Sequence, residues 1–140
     1  MKKNLFVLAV ALMLVMTGCG SKPTLAQLVE SDDVVAGEEE ANAAFAEAGM
    51  GLRIKYSADG EDILVLSYIY EEYQNLVGRT QSEIDAESAE KMNHLGTSVS
   101  IVPLFEETQK ATGITLKCIR VQFVNADGTV IYSQDYVNTK

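Results

Sequence analysis

The chain reads as an α+β protein, with a four-stranded antiparallel sheet made of two β-hairpins and helices packed on one face. Three observations carry this expectation. Residues 52–70 and 114–137 each hold two strand-like runs around an Ala-Asp-Gly turn, Ala58-Asp59-Gly60 and Ala126-Asp127-Gly128. Each of these stretches follows a segment whose apolar residues recur at helical spacing. The third is size: 140 residues, 47% of them hydrophobic, suit one packed domain and are too few for two lobes around a cleft.

The opening residues read as an address rather than as part of the fold. Met1-Lys2-Lys3-Asn4 is a basic head, and the 12 residues from Leu5 to Met16 contain nothing polar. A membrane-spanning helix needs about 20, so the pattern is that of a secretory signal peptide. Thr17-Gly18-Cys19 resembles the lipobox of bacterial lipoproteins, with Met16 standing where Leu is commoner. That resemblance implies diacylglycerol on Cys19 and cleavage just before it. The expected division is a signal peptide over 1–18, a lipid-anchored tether over 19–23 and one α+β domain over 24–140. Removing 1–18 takes Lys2 and Lys3 away, which leaves 9 bases against all 20 acids and a net charge of -11. A head that acidic is repelled by an anionic bilayer. Gly20 to Pro23 allow it roughly 14 Å of reach at about 3.5 Å per residue.

Thr24 is an N-cap before Leu25-Ala26-Gln27-Leu28-Val29. Ser31 caps a second helix whose apolar positions include Val34, Ala41, Ala44 and Phe45, ending at Gly49 or Gly51. Glu38-Glu39-Glu40 lies on that helix and reads as a solvated face, because consecutive helical residues point in different directions. Leu52 to Tyr56 alternates apolar and basic residues, Ser57 to Gly60 turns, and Asp62 to Tyr70 returns as a strand. A polar connection, 71–80, leads to a long helical segment from Gln81 to Thr112. Gly96 and Pro103 weaken its middle, so a kink or break is expected near 99–102. Gly113 is its expected C-terminal stop.

Ile114 to Val124 and Thr129 to Val137 form the last hairpin. A three-residue loop with Gly128 in the left-handed region sets Phe123 opposite Ile131 and Gln122 opposite Tyr132. In that register Tyr132, Tyr136 and Gln122 share a wetter face with Cys118, which makes them the expected interaction surface. The repeated Ala-Asp-Gly also suggests two copies of one helix–hairpin unit, although shared turn chemistry explains it equally well.

Chemistry is sparse. A chain with 20 acidic residues and 11 basic ones has no cationic face to displace counterions from nucleic acid. The lone His94, in Lys-Met-Asn-His-Leu-Gly, reads as an exposed helix residue, and no nucleophile elbow accompanies it. No His, Cys and carboxylate cluster is spaced for zinc, neither acidic turn fits an EF-hand, and no Gly-rich phosphate loop occurs. No cofactor is expected. With Cys19 lipidated, Cys118 has no partner within the chain and reads as an inert buried thiol.

The lipobox start, Thr24-Leu25-Ala26-Gln27-Leu28-Val29-Glu30-Ser31, Ala46-Glu47-Ala48-Gly49-Met50 and above all Asn125-Ala126-Asp127-Gly128-Thr129-Val130-Ile131-Tyr132-Ser133 resemble a family of short lipoproteins of Gram-positive gut bacteria. The family has no assigned activity, so the resemblance implies location and fold alone. The expectation is a lipid-anchored extracytoplasmic binding module, in contact with the membrane through Cys19 and with an envelope protein or extracellular ligand. A small envelope hydrolase using carboxylates is the alternative reading, and a thiol sensor using Cys118 is the third.

Overall fold

The computed structural model describes residues 22–139. The leader, the lipid site Cys19 and residues 20–21 lie outside that range. In chain order the elements are α1 (Leu25–Val29), α2 (Asp32–Glu47), β1 (Leu52–Asp59), β2 (Ile63–Tyr70), α3 (Gln81–His94), α4 (Thr97–Ser100), α5 (Val102–Thr112), β3 (Cys118–Val124) and β4 (Val130–Val137). The strands form one four-stranded sheet in the order β1-β2-β3-β4.

The sheet is mixed, not purely antiparallel. β1 pairs with β2 and β3 with β4 in antiparallel fashion, but β2 and β3 run parallel, from Ile63 beside Cys118 to Ile69 beside Val124. The cause is the connection. Parallel neighbours cannot be joined by a tight turn, and the helical segment between them carries the chain back to the end where β2 began. There Lys117 donates its backbone N–H to Asp62 O at 2.8 Å. The parallel centre also bears on the internal echo. The second hairpin can be laid on the first only by turning it over, which exchanges its two faces. Shared turn chemistry therefore accounts for the repeated Ala-Asp-Gly.

Local signals explain the helix ends. Thr24 with Gln27 and Thr80 with Glu83 form reciprocal capping boxes, and Ser31 Oγ accepts from Val34 N–H. The expected break in the long helix falls at Ile101, between α4 and α5, and a second interruption comes earlier. α3 stops at His94, Gly96 takes φ 68°, and α4 is four residues long before Pro103 enters the first turn of α5. Gly113 ends α5 at φ 75°.

The core lies against the sheet face formed by Leu52, Ile54 and Tyr56 on β1, Leu64, Leu66 and Tyr68 on β2, and Ile119, Val121 and Phe123 on β3. These residues form one cluster with Leu25 and Leu28 of α1, Val34 and Phe45 of α2, Met92 of α3 and Leu104 of α5. Tyr68 is at its centre. Its ring stacks on Phe123 with centroids 5.3 Å apart, and its hydroxyl meets Thr97 Oγ1 at 2.9 Å. Burial pushes the Tyr68 phenol up to about 12, an effect that the Thr97 hydrogen bond opposes.

The last hairpin corrects the expected register. At the turn it is as expected: Gly128 has φ 91° and Val124 lies opposite Val130. A bulge between Phe123 and Val124 then shifts the pairing by one residue on β4. Phe123 faces Tyr132, and Gln122 faces Ser133. A one-residue slip exchanges the faces of a strand. Tyr132 and Tyr136 therefore turn toward the core, where both pack against the cluster, while Gln122 stays with Cys118 on the other face.

The two edges of the sheet differ. At β1, Ile54 N–H donates to Asn42 Oδ1 at 2.6 Å, and Asn42 Nδ2 donates to Ile54 O at 3.2 Å. One turn earlier on α2, Glu38 accepts from Tyr56 N–H and from Lys55 Nζ. Glu38 is thus 4% exposed, against the expectation of a solvated acidic face, which holds for Glu39 and Glu40. α2 supplies the partners that a fifth strand would otherwise give to β1. Asn42→Ala strands the Ile54 N–H and C=O and is expected to cost about 1–3 kcal/mol, read as a lower urea midpoint at unchanged slope. A change within experimental error would show that α2 does not hold this edge.

Candidate binding groove

β4 is the other edge, and its surroundings are apolar. Val130 is 50% exposed and Val137 is 66% exposed. Beside its C-terminal end, the break between α4 and α5 exposes Val99 and Val102. Between these elements runs a groove of about 690 Å³, walled by Ile101, Val102 and Phe105 on the helical side and Tyr136, Val137 and Asn138 on the strand side. Pro103 stands in this wall and offers no backbone donor.

The walls are held firmly. Asn138 Nδ2 donates to Leu116 O at 3.0 Å, and Asn138 N–H donates to Lys117 O at 3.1 Å. The Tyr136 hydroxyl points to Met92 Sδ at 3.5 Å, and burial pushes its phenol above the ordinary tyrosine range. Gln109 Nε2 donates to Thr115 Oγ1 at 3.2 Å across one end of the groove. Among the described residues along the wall, Glu106 is the carboxylate, and it is paired with Lys110 at 3.5 Å. Hydrolysis by paired carboxylates requires a second acid facing the first. The groove walls are mainly apolar.

The opposite sheet face mixes polar side chains with Val65 and Ile69 of β2. Arg120 donates to Asp135 Oδ1 at 2.8 Å and reaches over β2 to Asp59 Oδ2 at 2.7 Å. Its hydrogen bonds hold the Asp135 carboxyl below the usual carboxylate range. Along the same face Gln122 Nε2 donates to Ser67 Oγ at 3.0 Å. Cys118 belongs to this face but is 4% exposed. Burial raises its thiol above the ordinary range, an effect that Asp135 reinforces and that Arg120 and Lys117 oppose.

The structure does not bring the expected interaction residues together. Tyr136 lines the groove, Tyr132 packs against the core with its hydroxyl on Gln134 at 3.1 Å, and Gln122 is on the far face. Ile101, Val102, Phe105, Val137 and Asn138 are wall residues that the sequence did not single out. His94 is exposed at the end of α3, 3.7 Å from Glu90. Among the described residues, no three His, Cys, Asp or Glu side chains gather where they could share a metal ion. No helix among them is long and apolar enough to cross a membrane. The chain matches no protein-family model, no curated protein and no solved structure.

Cys118 in the Cys19→Ala chain is expected to react with a thiol reagent at least roughly tenfold more slowly in buffer than in urea, since labelling must await opening of the sheet. Equal rates would show an accessible thiol and revive a sensing role.

Proposed function

We propose that the chain is a lipid-anchored extracytoplasmic module that acts by binding an envelope protein or an extracellular ligand. The observation that carries the reading is the apolar groove beside the free edge of β4. One sheet edge is closed by α2, so among the described residues β4 is the edge strand left for main-chain recognition. In this reading the helices cover one face of the sheet, and the single core cluster supports that arrangement. The face bearing Arg53, Lys55 and Gln122 is then left open to solvent.

The location rests on the leader and on Cys19, and the resemblance to short envelope lipoproteins supports it. A diacyl chain meets the two-chain requirement for stable anchoring. The mature net charge of -11 supports a head that stands off the bilayer.

The test is in-cell crosslinking of the full chain, with capture from its native membrane and a Cys19→Ala control. One recurrent partner is expected, lost with Cys19→Ala and weakened by Val137→Lys at the exposed edge. A partner unaffected by Val137→Lys would move the contact away from the groove. No partner and no bound small molecule would contradict a binding role.

A further inference from the structure

Building on the anchored-module reading, we infer that the groove lies at the membrane end of the domain and takes an extended segment of an integral membrane protein next to the bilayer. Lys22 Nζ donates to Lys110 O at 3.3 Å, and Lys22 Cδ lies 3.4 Å from the position a Cβ would take on Gly113. The chain therefore enters the domain at the C-terminal turn of α5. Cys19 is three residues before Lys22, so its α-carbon is within about 10 Å of that point.

The same turn forms one end of the groove. Gln109 is adjacent to Lys110, Thr115 follows Gly113 by two residues, and both line the groove. The strand wall agrees. Val137 pairs with Cys118, the first residue of β3, and Asn138 bonds Lys117. The other end of the molecule is the apex, formed by the turn at 125–129 and the 71–80 connection. Asn125 joins them, accepting from Gln74 N–H at 2.8 Å and donating to Gln74 O at 2.9 Å. The seven residues of β3 separate the two ends by roughly 20 Å at about 3.3 Å per residue.

A lipid on Cys19 thus makes the groove the membrane-proximal end of the domain and the apex the distal end. A freely diffusing protein meets the exposed apex first, whereas the groove is most accessible to chain that is itself held at the membrane surface. The occupant's form follows from the walls. An edge strand recognises main chain, and an extended segment laid along β4 turns alternate side chains into the groove. Ile101, Val102 and Phe105 suit apolar side chains there.

The probe is a photocrosslinking residue placed at Val137 in the full lipidated chain, with a second chain carrying it at Asp127 in the apex. Both positions are exposed, so both variants are expected to fold. Adducts from position 137 are expected to map to residues flanking a transmembrane segment of one integral membrane protein, with at least fivefold lower yield from position 127. Val102→Glu is expected to reduce the position 137 adduct. Adducts to lipid alone, adducts to a soluble protein, or equal yields from both positions would overturn the inference. In the last two outcomes the binding reading survives. Recovery of an unlipidated chain would instead remove the anchor and the reading beneath it.

Discussion

The parallel pairing of β2 with β3 is the constraint on which the rest of the architecture depends. It places Leu64 beside Ile119, Leu66 beside Val121 and Tyr68 beside Phe123 at the centre of the core. A parallel pair needs a long crossover, and the 47 residues between Tyr70 and Cys118 supply α3, α4 and α5. The break among those helices exposes Val99 and Val102 next to the end of β4. The groove is thus a product of the crossover, not of either hairpin alone.

The pairing also leaves β1 and β4 as the edges, and the chain treats them differently. Glu38 and Asn42, one turn apart on α2, bind the outward backbone of β1. Two side chains at helical spacing meet backbone groups two residues apart on the strand, because one helical turn, about 5.4 Å, approaches a two-residue strand rise of about 6.6 Å. Nothing comparable is seen on β4 among the described residues. An edge of this kind is a liability for a free protein and a resource for a binding one.

Element types were legible in the sequence because local chemistry sets them. Thr24, Ser31 and Thr80 cap their helices, Gly113 and Gly128 take positive φ, and Gly96 with Pro103 breaks the long helix. The order of the strands was less so. β2, Ile-Leu-Val-Leu-Ser-Tyr-Ile-Tyr, is almost continuously apolar, as suits a central strand with a neighbour on each side. β1 alternates with Arg53 and Lys55, as suits an edge. Those patterns distinguish centre from edge but not parallel from antiparallel. The site was least legible. One bulged residue turns Tyr132 and Tyr136 inward, and no local signal marks it. Glu38 illustrates the same limit: three adjacent acids read alike, and only the position of β1 distinguishes the one that binds it.

One edge of the sheet is closed by side chains and, among the described residues, the other is open. Amide hydrogen exchange followed residue by residue measures this without any partner. The Ile54 and Tyr56 amides, which point away from the sheet toward α2, are expected to exchange as slowly as those of β2 and β3. Along β4, amides facing β3 are expected to be slow and the alternate ones fast. Fast exchange at Ile54 and Tyr56, or uniform protection along β4, would contradict the account.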